Sequence, residues 1–417
     1  MEKVSVLLIS SSFPDKRFFE SLETNNAFIE EVILPLPAKN VDVDLPLRFV
    51  GEELPTEKIT KADLRNFLVS KASSDKVLFV SDSTYLDEDF VEELLEEREQ
   101  TSADVVFANP IYVAGEEERL ENLEQPYGKE KTLISSLAIE NFVPEWGVLT
   151  TKTVLEKGKG FDPFLEDYEF YDFLYRNLDW LSLRLSELTY FSQEVKDVYV
   201  DTSWRSYVLR RMLRKYDWKT EVFPYLSWNE REDVAKATAL TLVGNQLFKY
   251  FDLMNASNCY REALLSFHNQ ETLRRLIASL KGMGFFEKVR ELLSPSQGLS
   301  EEEIEKELEV IGGIEKVIKE LETAVQEGKV LEALAAATEL AEVYDGAPLY
   351  NLFGVINWIK KDLENAYRFF HKAVTMNPLD KDFLFNLSSV AKELGREEKV
   401  EKLLRILLSE APVEGRV

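Results

Sequence analysis

Short, solidly apolar runs alternate with amphipathic stretches along the first two hundred residues. Val4 to Ile9 (VSVLLI) is apolar without alternation and gives way to the polar turn SSSFPD, which predicts a strand buried on both faces. A helix follows over Asp15 to Glu23, then a second strand over Glu31 to Leu34 and a weak third over Leu47 to Val50. Lys61 to Ala72 predicts a helix leading into Val77 to Val80 (VLFV), a central strand. Asp87 to Glu99 reads as an acidic helix, and Asp104 to Ala108 as another strand. Strands alternating with amphipathic helices indicate an α/β domain with a mainly parallel sheet.

From about Trp204 the strand pattern stops and the remainder is helical and repetitive. Aligned on Gly354, the segment Ala347 to Asp380 sets Ala366, Phe370, Ala373 and Pro378 in the spacing of a roughly 34-residue helix pair. The next unit, from Lys381, keeps Leu387, Val400, Leu404, Leu407 and Pro412 in register. Ala237 to Gln270 places Gly244, Ala256, Tyr260 and Ala263 at matching positions, and Gly313 to Gly346 fits loosely with Ala333 and Ala337. Glu271 to Leu293 reads as a degenerate unit, while Ser294 to Gly313 breaks the phase as a linker or an irregular repeat. These residues resemble tetratricopeptide repeats. The resemblance implies stacked helix pairs and a surface that binds a protein or peptide; the alternative is that the helices only support or dimerise the first domain.

With 417 residues, two or more domains are expected. The net charge of −26 argues against nucleic acid as the main partner, because phosphate binding relies on clustered Lys and Arg. One cysteine, Cys259, excludes an internal disulfide and a Cys-based zinc site, and cytoplasmic residence fits this usage. The apolar run at Val4 to Ile9 is too short for a signal-peptide core or a transmembrane segment.

The chemistry-bearing residues lie in the first half: Arg65-Asn66 on the predicted helix, the strand DKVLFV with its tail Ser81-Asp82-Ser83, and later GVLTTK, Gly160-Phe161-Asp162 and Glu166-Asp167 before an aromatic helix. In this order they resemble a family-2-type glycosyltransferase of the GT-A fold over about residues 1 to 200. The resemblance implies a nucleotide-sugar donor at the end of the central strand, with Asp82, Ser81, Ser83, Arg65 and Asn66 as donor-side residues. It implies Asp167, with Glu166 beside it, as the general base of an inverting transfer, the alternative being that the two acids only cap the aromatic helix, and it implies Mn2+ or Mg2+ at Asp82. Trp146 in PEWGVL is a candidate to stack on a sugar, or else a core or rim tryptophan. The sequence departs from the family at Ser81 and Ser83, where hydroxyls replace both aspartates of Asp-x-Asp. Acids expected after the first two strands are also missing, leaving Asp15 as a substitute or as an ordinary helix cap.

Both histidines, His268 and His371, fall among the repeats, and His371 is expected on the surface or in a groove. The basic stretch around Trp204 puts Trp204, Val208, Met212 and Tyr216 on one face and Arg210, Arg211, Arg214 and Lys215 elsewhere. It reads as a connecting helix, with binding of a diphosphate or an anionic membrane surface as other uses. The expected organisation is a GT-A-like domain over residues 1–203, a connecting segment over 204–232 and helical repeats over 233–417. Three functions stay open: a metal-assisted glycosyltransferase whose repeats present a protein or peptide acceptor, a catalytically degenerate scaffold for protein interactions, and a metal-independent transferase in which Arg or Lys replaces the cation.

Overall fold

The apolar run after Lys3 folds as β1 (Val4–Leu8), with all of its side chains buried, as a strand covered on both faces requires. In the computed structural model, residues 2–54, 59–114, 117–120, 133–139, 143–165, 168–193, 201–294 and 298–409 are described. The chain divides into two compact units, Met1–Val198 and Tyr199–Val417.

In the first unit β1 is followed by α1 (Lys16–Glu23), β2 (Ile29–Leu34), β3 (Leu47–Phe49), α2 (Lys61–Lys71), β4 (Lys76–Val80), β5 (Thr84–Leu86) and α3 (Phe90–Thr101). Then come β6 (Val105–Ala114), β7 (Glu117–Leu120), α4 (Leu133–Ile139), β8 (Val148–Thr151), α5 (Lys152–Lys157), α6 (Glu169–Asn177) and β9 (Leu183–Gln193). The nine strands form one sheet in the order β3-β2-β1-β4-β8-β6-β9-β5, with β7 paired to β6. β1 lies between β2 and β4 and is parallel to both. Beyond β4 the sheet is mixed: β8 is antiparallel to β4 and β6, whereas β9 is parallel to β6.

Alternation along β4 separates two layers of core. Leu78 and Val80 join the cluster under α1 and α3, with Phe18, Phe19, Leu22, Phe90, Leu94 and Leu95. Phe79, on the opposite face, packs edge-on to Phe161 at 5.9 Å between ring centroids, and Phe161 leads on to Phe170 and Phe173 of α6. α3 begins at Phe90 rather than Asp87 because Asp89 sits at φ 63°, outside the helical region. Its early N–H of Val91 donates instead to Asn25, at 2.8 Å.

The second unit is helical. α7 (Ser203–Lys215) and a π-turn (Trp218–Val222) precede α8 (Glu232–Lys249) and α9 (Leu253–Ser266), α10 (Gln270–Gly282) and α11 (Phe286–Leu292), and α12 (Glu301–Gln326) and α13 (Val330–Ala341). The pairs α14 (Ala347–Ile359) with α15 (Leu363–Met376) and α16 (Lys381–Glu393) with α17 (Glu397–Leu407) complete it. The repeat spacing has a direct physical reason. A Cβ added at Gly244 would stand 2.6 Å from the Tyr260 ring, and one at Gly354 would stand 2.4 Å from Phe370, so only glycine lets the two helices of each pair cross so closely.

One expectation, the place of His371, is corrected here, and two others gain detail. The acidic stretch within Ser294 to Gly313, expected as a linker or an irregular repeat, is helical from Glu301: α12 runs unbroken through Gly312 and Gly313, started by a reciprocal cap between Ser300 and Glu303. His371 is buried, not on the surface, and its Nε2 lies 3.2 Å from Asp201 Oδ2. Trp204, Val208, Met212 and Tyr216 are buried as one face, yet Arg210 is buried too: it donates to the carbonyls of Ile406 and Ser409 at 2.5 and 2.8 Å and lies 3.3 Å from Asp252. A charge this deep is tolerated because carboxylate and carbonyls surround it. Cys259 is buried as well, and burial pushes its thiol well above the usual range. No helix among the described residues is long and apolar enough to cross a membrane.

Candidate functional site

The chain runs from β1 to β2 on one side and returns to β4 on the other, so the strand order reverses at β1. In an open α/β sheet the loops diverge at such a point and leave a crevice outside the carboxyl ends of the strands. Three loops reach this edge: Ser10 to Asp15 after β1, Pro35 to Asn40 after β2, and Ser81 to Ser83 after β4. Side chains tie them together. The Lys39 ammonium lies 4.2 Å over the Phe13 ring, linking the first two loops. Tyr85, just past the third, donates its hydroxyl to Asp15 Oδ2 at 3.2 Å. Arg17 lies 4.6 Å over the Tyr85 ring. Burial, then the Asp15 carboxylate, raise the Tyr85 phenol above its ordinary value, which keeps it a hydrogen-bond donor.

Asp15 caps α1, accepting from Phe18 N at 2.9 Å, as its reading as a helix cap expects. At the end of β4 the backbone turns at once, with Thr84 N donating to Ser81 O at 3.2 Å. Asp82 therefore sits on a turn and is half-buried, as is Ser83, while Ser81 is buried. Ser81 Oγ lies 3.0 Å from Ser83 Oγ and 2.9 Å from Thr84 Oγ1, and Ser81 N donates to that same Thr84 oxygen.

This donor set does not fit a divalent cation. Hard cations favour several anionic oxygens, whereas here one carboxylate stands among hydroxyls that bond one another, and both oxygens of Asp15 are engaged. Among the described residues no group of three His, Cys, Asp or Glu side chains is placed to hold a metal ion.

The other donor-side residues go elsewhere. Arg65 is fully buried, donating from Nε to Glu169 at 2.7 Å and reaching Glu145 from Nη2 at 3.3 Å. Its guanidinium lies 4.9 Å from the Trp146 ring and 5.0 Å from Phe79. Lys61 adds a second ion pair to Glu145 and a second cation over Trp146, at 5.1 Å. Burial works against the Lys61 charge, but Glu145 and Glu169 outweigh it and hold its pKa above the ordinary value. For Glu169 burial wins over Arg65 and raises its pKa. Arg65 Nη1 and Glu169 Oε2 are buried without a partner.

Asn66 makes a two-bond bridge to a backbone 95 residues away: Nδ2 donates to Phe161 O at 2.8 Å and Oδ1 accepts from Phe161 N at 2.9 Å. Gly160, at φ +61°, has room for this because its missing Cβ would stand 2.7 Å from Asn66 Oδ1. Arg65 and Asn66 thus tie Glu145, Phe161 and Glu169 to α2. Asp162 is half-buried and accepts from Phe164 N at 3.0 Å. Glu166 and Asp167 lie outside the described residues.

Sequence reasoning missed Lys39, Arg17, Tyr85, Glu145 and Glu169. For Lys39 the signal was available, since it stands in the loop after the second strand, where a switch-point crevice is lined. The two glutamates carried no such signal, because their partners on α2 are remote in sequence.

No protein-family model and no curated protein matches the chain. Among solved structures, S. aureus TarS 1-349 in complex with UDP-GlcNAc is similar over 70% of this chain and 88% of its own, at 13% identity and TM-score 0.42. Glucosyl-3-phosphoglycerate synthase from Mycobacterium tuberculosis in complex with phosphoglyceric acid is similar over 51% of this chain and 80% of its own, at 14% identity and TM-score 0.35. The same synthase in complex with Mn2+, uridine-diphosphate and glucosyl-3-phosphoglycerate gives 14% identity, the same coverage and a TM-score of 0.34.

Proposed function

We propose that the protein is a glycosyltransferase that moves a sugar from a nucleotide-sugar donor to an acceptor hydroxyl. The observation that carries this reading is the strand-order reversal at β1, where the loops after β1, β2 and β4 meet, the place where an open α/β sheet holds a nucleotide. The donor's diphosphate lies nearest Asp82 and its loop. Asp167, with Glu166 beside it, takes the proton of the acceptor hydroxyl as its oxygen bonds to the sugar carbon; the bond from that carbon to the diphosphate breaks and the nucleoside diphosphate leaves. Attack opposite the leaving group inverts the sugar carbon. The ties from Arg65 and Asn66 to Glu145, Phe161 and Glu169 support a rigid acceptor side. The helical unit presents the acceptor, a protein or peptide.

Asp167→Asn abolishes sugar transfer and leaves the melting temperature unchanged; retained transfer removes Asp167 from the base role. A second reading, an interaction scaffold that has lost catalysis, is favoured by the closed hydroxyl network of Ser81, Ser83 and Thr84. A thermal-shift panel of uridine, guanosine and thymidine diphosphates separates the two. Stabilisation by any of them supports the transferase, and none with or without manganese supports the scaffold.

A further inference from the structure

We propose that this crevice holds the diphosphate of its nucleotide with Lys39 and Arg17 instead of a divalent cation. The inference rests on the nucleotide-sugar reading above and deepens it, naming the groups that neutralise the diphosphate.

The argument starts from charge. A departing diphosphate needs positive charge beside it, and at the end of β4 the acidic pair that would supply a cation is replaced by Ser81 and Ser83, whose hydroxyls bond each other and Thr84. Asp82 and Asp15 remain as two negative charges on the crevice. Unopposed, they would repel a diphosphate.

Two cations stand in or beside the same loops. Lys39 is exposed on the loop after β2, its ammonium against the Phe13 ring, and Arg17 is exposed at the start of α1, against the Tyr85 ring. Among the described residues neither makes an ion pair, although acidic side chains outnumber basic ones in this chain, 76 to 50. An aromatic face holds each cation in place without consuming its N–H donors, so Arg17 offers a planar fork and Lys39 a rotatable point charge to phosphate oxygens. The basic helix around Trp204 supplies no such group at Arg210, whose guanidinium is spent inside the second unit on Asp252, Ile406 and Ser409.

The test is calorimetric titration of the full-length protein with the three nucleoside diphosphates and with the matching nucleosides, in EDTA and in manganese. Affinity for the preferred diphosphate is expected to agree within ~3-fold between the two conditions. Lys39→Ala and Arg17→Ala each weaken the diphosphate by ~10-fold, the scale of a lost charge-assisted contact, and leave the nucleoside within ~2-fold. Both side chains are exposed, and an unchanged melting temperature verifies that the variants fold. Ser83→Asp, which restores one acid of the missing pair, makes binding respond to manganese. Binding that appears only with manganese, or diphosphate affinity indifferent to both substitutions, overturns the inference and leaves the transferase reading standing. Failure of every nucleoside diphosphate to bind in either condition overturns both.

Discussion

Replacing Arg65 by methionine removes one charge from a place that cannot rehydrate the other. Arg65 and Glu169 have no side-chain exposure, their Nε–Oε1 contact is 2.7 Å, and aromatic rings close around the guanidinium. Breaking a buried pair by deleting one member costs about 3–5 kcal/mol, because the survivor stays buried and uncompensated. For a unit of this size that corresponds to a fall of roughly 6–20 °C in its melting temperature. The double variant Arg65→Met, Glu169→Leu leaves no uncompensated charge and is expected within about 2 kcal/mol of the parent, so the two losses are strongly non-additive. Calorimetry is the assay, since it resolves separate transitions in a protein of two units.

The pH dependence of the same pair has a definite sign. The folded-state pKa of Glu169 lies above its ordinary value of 4.5 because of burial. Its protonated form is therefore favoured by folding, and the associated stability is present below about pH 4.5 and lost as pH rises through the folded value. The deficit of Arg65→Met is largest at neutral pH and shrinks on acidification. A single variant that loses less than about 1 kcal/mol, or a double variant that loses the sum of the singles, refutes the buried-pair account.

Asn66→Ala strands the amide and carbonyl of Phe161 and costs about 1–3 kcal/mol, with faster hydrogen exchange confined to residues 158–165; unchanged exchange there shows that the bridge does not hold the loop. Burial raises the Asp201 pKa, but His371 and Ser203 outweigh it and leave the carboxyl below 3.8. Its stability contribution is present above about pH 3.8 and lost as pH falls through the lowered value, so Asp201→Asn flattens the acid limb of the second unit's melting profile; an unaltered acid limb counts against the pair.

The layout of the fold was legible where local pattern decides it. β1 and β4 announce themselves as unbroken apolar runs, and Gly244 with Tyr260 and Gly354 with Phe370 betray the helix crossings by size alone. β5, β7 and β9 were not assigned, since their residues alternate or mix polarity and acquire strand structure from neighbours across the sheet. The Arg-Asn pair was singled out through the family resemblance as donor-side, but its partners Glu145, Glu169 and Phe161 lie 80 to 104 residues downstream, and no local signal names them. His371 was misplaced for the same reason, because Asp201 is 170 positions earlier. At Ser81 to Ser83 the sequence indicated the lost acids, whereas the hydroxyl closure depends on a turn that only the backbone path reveals.

The lone thiol of Cys259, buried on α9 and weakly ionised, offers a practical opening. Maleimide probes need thiolate and access, so the parent protein should resist labelling while native. A cysteine introduced at an exposed position near Lys39 would then be the single reactive handle, giving a fluorescent report of ligand occupancy with no background to subtract.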